Sequence, residues 1–204
     1  MNEQIIHQYK SRRNTVQLVR NGEDSYVKKL FECGESCVKE ESIYKILENT
    51  EIPHATLIKS STKELCISPL PGDTLLECLE AQEKSGVIQW PVWEKLIDWL
   101  VGFKQKTDFI MSDVNLRNFL YDENTETVYG MDFEECATGN IVISLCNLAA
   151  FISMYEPENT IIKQQISDFI LKNIEHMFGV DRSFVEREKK NQEQIIRLRR
   201  NNKK

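Results

Sequence analysis

The pattern of apolar and polar positions divides the chain into a strand-rich first third and a helical remainder interrupted by one hairpin. Residues 1–12 read as a short polar lead-in. Thr15–Arg20 and Ser25–Phe31 alternate as strands do, and the Asn21-Gly22 turn between them is a strong hairpin signal. A helix is predicted from a cap at Ser36 to about Leu47, with Ile43, Tyr44, Ile46 and Leu47 on its apolar face. Residues 51–59 read as a loop entering a strand, Glu64–Ser68 as a further strand, and Pro69–Gly72 as a rigid turn. Helical spacing then predicts Asp73–Glu83, capped at Asp73 or Thr74, and Val92–Lys106 with a stripe from Trp93 to Phe103. It also predicts a nearly all-apolar, buried Ile141–Tyr155, and Ile161–Phe178. Residues 182–204 read as a charged helix fraying into a basic tail. That tail is either a solvated end or a substrate or membrane-surface contact through Arg197, Arg199 and Arg200.

The interrupting hairpin carries the chemistry. Two short strands, Phe119–Tyr121 and Val128–Met131, flank a polar turn at Asp122–Thr127. A hairpin brings its ends together, so Asn118 and Asp132 are expected side by side at its open end, with Asp113 on the loop just before. Two carboxylates and an amide are hard oxygen ligands of the kind Mg²⁺ accepts alongside phosphate oxygens. A second feature lies upstream. Glu40 shares the apolar face of its helix, and an unpaired buried carboxylate costs several kcal/mol, so it needs a cation. Lys28 and Lys29, on the preceding strand, are the nearest.

Composition narrows the classes. A chain of 204 residues makes one large domain or two small ones, and a net charge of -6 argues against nucleic acid as the main partner. No apolar run approaches a membrane span, and the N-terminus does not read as a signal peptide. The six cysteines are scattered. Cys33 and Cys37 form a pair with no matching second pair, which points to reduced thiols of a cytoplasmic protein rather than to zinc. His54 has no partner at metal-ligand spacing and reads as a loop residue.

The stretch Asp113-Val-Asn-Leu-Arg-Asn118, a hairpin, then Asp132-Phe-Glu134 resembles the catalytic core of the protein-kinase-like phosphotransferases, which include the aminoglycoside and choline kinases. The resemblance implies an α+β, two-lobed kinase-like fold. Residues 1–70 would form a small β-rich lobe with one helix, and 71–204 a mainly helical lobe, joined near Pro69–Gly72 by the linker that pairs with adenine. It further implies that Asp113 orients the acceptor hydroxyl or acts as its base, and that Asn118 and Asp132 hold Mg²⁺. Lys28, held by Glu40, would bind ATP phosphates. Lys29 and Glu41 are alternatives for that pair, and Arg117 would offset charge on the transferred group.

Three positions depart from the family pattern. Met111 stands where His or Arg usually precedes the catalytic acid, Ser144 where an acid usually braces the loop, and no glycine-rich loop is recognisable. The expected function is ATP- and Mg²⁺-dependent phosphotransfer to a hydroxyl, of a small molecule rather than a protein because the second lobe is short. The alternatives are a pseudokinase acting as a nucleotide- or protein-binding regulatory module, and an α+β domain with no nucleotide site.

Overall fold

The computed structural model describes residues 3–201, so the first two residues of the lead-in and the last three of the basic tail lie outside it. Five strands, β1 (Gln4–Tyr9), β2 (Thr15–Asn21), β3 (Asp24–Leu30), β4 (Leu57–Ser60) and β5 (Glu64–Ile67), form an antiparallel sheet in the order β1-β2-β3-β5-β4. The supposed lead-in is therefore largely a strand. All six β1 residues are exposed, so no alternation of buried and solvated positions marks it, and its pairing with β2 alone makes it a strand. The first hairpin turn is accordingly Lys10-Ser-Arg-Arg-Asn14, basic and free of glycine, while Asn21-Gly22 joins β2 to β3.

Helix α1 (Gly34–Leu47) connects β3 to β4, packs against β4 and β5, and begins two residues before Ser36, with Cys33 as an N-cap that makes no side-chain bond. Its buried face is Cys37, Glu40, Ile43, Tyr44 and Leu47, the apolar stripe with a carboxylate in it. A two-residue strand, β6 (Asp73–Thr74), leads into α2 (Leu75–Ser85), whose N-terminus is closed by a reciprocal Thr74–Glu77 capping box. Strand β6 also pairs with β7 (Phe119–Asp122), which pairs with β8 (Thr127–Gly130). Gly72 has φ 94°, and a Cβ there would lie 2.1 Å from the Tyr121 carbonyl oxygen, so only glycine can bring β6 onto β7.

The remaining helices are α3 (Trp90–Thr107), α4 (Ile141–Met154), α5 (Ile161–Phe178) and α6 (Arg182–Asn201). Helix α4 is buried on most of its circumference, and α5 and α6 pack on it. Among the described residues there are six α-helices, and none is long and apolar enough to cross a membrane. Two of the tail arginines are tied down within the molecule. Arg197 and Arg200 pair with Glu158 at 2.9 and 3.2 Å, and Arg200 donates to the Met154 carbonyl.

One aromatic ring connects the sheet side to the helical side. Phe133, fully buried, lies edge-on to Tyr44 of α1 with centroids 5.0 Å apart and parallel to Phe103 and Trp99 of α3 at 5.7 and 6.4 Å. Trp99 in turn reaches under β8 because residue 130 is glycine; a Cβ there would come within 2.3 Å of the indole.

Candidate functional site

The hairpin delivers its residues as the local pattern requires. Phe119 pairs with Gly130, and the Asn118 carbonyl accepts the Met131 N–H at 2.9 Å, which places Asn118 across from the residue preceding Asp132. On the approaching loop, Asn118 Nδ2 donates to the Asp113 carbonyl at 3.1 Å, and the Asn118 N–H bonds the Asn115 carbonyl at 2.8 Å. Asp113, Asn118 and Asp132 thus share the open end of one hairpin. Asp132 sits at φ 63°, ψ 63°, a left-handed conformation costing a non-glycine residue about 1–2 kcal/mol. Such local strain persists where neighbours over-determine it, here through the buried Phe133 and a lysine, and it gathers at functional sites.

That lysine is Lys29, not Lys28. Its ammonium lies 2.7 Å from Glu40 Oε2, 2.5 Å from Asp132 Oδ1 and 3.9 Å from Glu134 Oε2, with its cation over the Phe31 ring. Side chains alternate along a strand, so the residue next to Lys29 must face the other way. Lys28 accordingly pairs with Glu3, on the face where Tyr26 also bonds that carboxylate. The helix carboxylate is Glu40 as expected. Glu41 instead pairs with Lys45 and accepts from Ser60. Val27 and Phe31 share the Lys29 face, but Tyr26 and Leu30 flank Lys28 in the same way, so the alternation along the strand carries no signal for choosing between the lysines.

Glu134, two residues beyond Asp132, is brought by the fold into the same cluster. Carboxylate oxygens of Glu40, Asp132 and Glu134 lie within 4.8 Å of one another. Two residues of the β1–β2 turn close over them. Arg13 reaches Glu134 at 3.2 Å and Glu135 at 2.9 Å, and Asn14 Nδ2 donates to Glu134 at 2.9 Å. Nothing local in the sequence links positions 13 and 14 to 134. Arg117 is exposed, and its side chain has no ion-pair partner among the described residues.

Electrostatics follow from three acids sharing one buried lysine. Burial works against the Lys29 charge, but Glu40 and Asp132 outweigh it and hold the ammonium above its usual range. The surplus negative charge falls on the most buried acid. Glu40 is pushed up to about 7, first by burial and against the pull of Lys29, with Asp132 and Glu134 adding to the rise. Asp113 is also raised, by burial and then by Asp132. The Glu40 shift has a consequence for stability. Between 4.5 and about 7 the folded protein holds a proton that the unfolded chain has lost, so stability falls as pH rises through that window. Glu40→Gln removes the effect. Measured by urea unfolding without divalent cations from about pH 4 to about pH 8, wild type should lose about 3 kcal/mol relative to the variant. A gap independent of pH would mean that Glu40 binds its proton in the fold no more tightly than in the unfolded chain.

The chain matches no family model, and no curated protein matches it in sequence. In structure it is similar to the kinase PK-1 of the Cydia pomonella granulovirus, with a TM-score of 0.54 and 15% sequence identity. The match covers 67% of this chain and 55% of that one, so this chain spans about half the length of the kinase it matches. The likeness establishes a kinase-like fold: a mixed α and β structure with a small antiparallel sheet followed by helices.

Proposed function

We propose that the protein is an ATP- and Mg²⁺-dependent phosphotransferase acting on a hydroxyl of a small molecule. The observation that carries this reading is the convergence of Asp113, Asn118 and Asp132 at one hairpin mouth, with Lys29, locked by Glu40, directly against Asp132. In this reading residues 1–70 and 71–204 act as the two lobes. The donor set fits the metal: the Asn118 amide oxygen, Asp132 and Glu134 are all hard oxygens, and the carboxylates outnumber their cations. Mg²⁺ bound there would neutralise phosphate charge and align the transferred group.

The chain's own residues take the other roles. Asp113 would accept or orient the acceptor hydroxyl proton, and its raised proton affinity suits it to that task. Lys29, in place of Lys28, would hold the nucleotide phosphates while Glu40 keeps it aimed. Arg117, exposed beside Asn118, would offset charge on the group in transit. The β1–β2 turn has no glycine to bring its backbone close to phosphates, so Arg12 and Arg13 would meet them with side-chain charge instead. Arg13 must then leave Glu134 as the nucleotide enters.

A second reading, a non-catalytic nucleotide- or protein-binding module, draws on that same Arg13 contact, since a fixed Arg13–Glu134 pair would keep a metal away. A thermal-shift titration with ATP and MgCl₂, on wild type and Asp132→Ala, separates the readings. Saturation at about 100 times the dissociation constant stabilises by about 2.7 kcal/mol. A Mg²⁺-dependent shift in wild type and none in the variant is expected. A shift indifferent to Mg²⁺ favours the binding module, and no shift with any nucleotide ends the phosphotransferase reading.

A further inference from the structure

The loop bearing Asp113 and Asn118 lacks the residues that commonly hold such a loop in the family it resembles: Met111 and Ser144 stand in their places. The fold nevertheless fixes this loop from behind. Ser144 Oγ donates to the Met111 carbonyl at 3.2 Å, holding the loop's entry on α4. At its centre, the Tyr155 hydroxyl, from the C-terminal end of α4, makes two bonds of 2.9 Å: it accepts the Leu116 N–H and donates to Asn115 Oδ1. Asn115 Oδ1 also accepts the Arg117 N–H at 3.0 Å and so shapes the single helical turn that ends at Asn118.

Tyr155 is itself held at its other end. Its carbonyl accepts from the ammonium of Lys163 at 3.0 Å, and Lys163 is fully buried and paired with Glu83 at 2.9 Å. The phenol is fixed at its backbone by α5 and α2, and its hydroxyl is spent on the backbone and side chain between Asp113 and Asn118. Burial pushes it up to about 12, against the opposing pull of the Leu116 N–H, so it remains a neutral donor across the working range.

We infer that Tyr155 is the positioning residue of the Asp113–Asn118 loop, setting the separation between the hydroxyl-orienting acid and the metal-binding amide. It acts through Asn115 and Leu116 and does not touch the reacting atoms. Its activity arm rests on the phosphotransfer reading; its structural arm does not.

The test is Tyr155→Phe, which keeps the ring and removes only the hydroxyl, with Asn115→Ala and the double variant beside it. Hydrogen exchange at the Leu116 amide is expected to accelerate about tenfold in Tyr155→Phe, while amides of α4 and α5 keep their wild-type rates. In turnover, kcat should fall about ten- to a hundredfold with KM for ATP changed less than about threefold, because the loop is misplaced rather than the nucleotide lost. The double variant should lose less than the sum of the two singles, because both singles already break the shared Tyr155–Asn115 bond while each side chain also holds one backbone N–H of its own. Unchanged Leu116 exchange, or additive losses in the double variant, overturns the inference. So does a kcat equal to wild type. Should wild type show no turnover at all, the phosphotransfer reading fails, and the Leu116 exchange still decides whether Tyr155 holds the loop.

Discussion

Asp113→Asn is expected to lower kcat about 10²- to 10⁴-fold, the usual range for removing a general base, while leaving the Mg²⁺-dependent nucleotide shift in place. The asparagine keeps the size of the side chain and the backbone carbonyl that Asn118 Nδ2 bonds, so the loop's shape is preserved and only the proton acceptor is lost. Asp132→Ala, by contrast, should lose turnover and nucleotide shift together. A pH profile adds a second check. Burial and Asp132 hold the Asp113 carboxyl above the ordinary aspartate range. The ionised form is the one that accepts a proton, so kcat/KM should fall on the acid side at a pH above that range. An Asp113→Asn variant with near wild-type kcat would mean the acid is structural and the reaction, if any, is driven by positioning alone.

Lys163→Met is expected to destabilise the protein by about 3–5 kcal/mol, the cost of breaking a buried ion pair by removing one partner. Lys163 has no exposed surface, and its ammonium serves the Glu83 carboxylate and the carbonyls of Tyr155 and Pro157, the last at 2.8 Å. Methionine fills the same volume and leaves all three oxygens without that donor. For a chain of this size such a loss lowers the melting temperature by about 10 °C. Thermal or urea unfolding measures it, and adding Glu83→Gln should recover part of the loss by removing the orphaned charge. A cost below about 1 kcal/mol would show that water reaches those oxygens and replaces the ammonium.

How much was legible depended on whether the determining interactions are local. The hairpin between Asn118 and Asp132 was readable because two short apolar runs around a polar turn have one economical pairing, and that pairing forces its ends together. The boundaries of α5 were readable, and the cap of α2 was narrowed to Asp73 or Thr74, because Thr160 and Thr74 satisfy orphan N–H groups within three residues. The need of Glu40 for a cation followed from helical periodicity alone, before any partner was known.

The partner's identity was a different matter. Lys28 and Lys29 are equivalent as letters, and only the phase of β3 against α1 decides which one enters the interior. Strand β1 left no trace in the apolar pattern because both of its faces are exposed, and without it the basic turn at residues 10–14 could not be placed over the acids. The Asn14–Glu134 contact joins residues 120 positions apart, and the Tyr155 hydroxyl reaches a loop some forty residues upstream. The sequence by itself determined most of the local elements and the meeting of Asn118 and Asp132 at one hairpin mouth, through bonds closed within a turn or a hairpin. Which lysine answers Glu40, that Glu134 joins the cluster, and what holds the Asp113–Asn118 loop were decided only by tertiary structure, because strand phase and helix packing are set by the whole core rather than by neighbours in the chain.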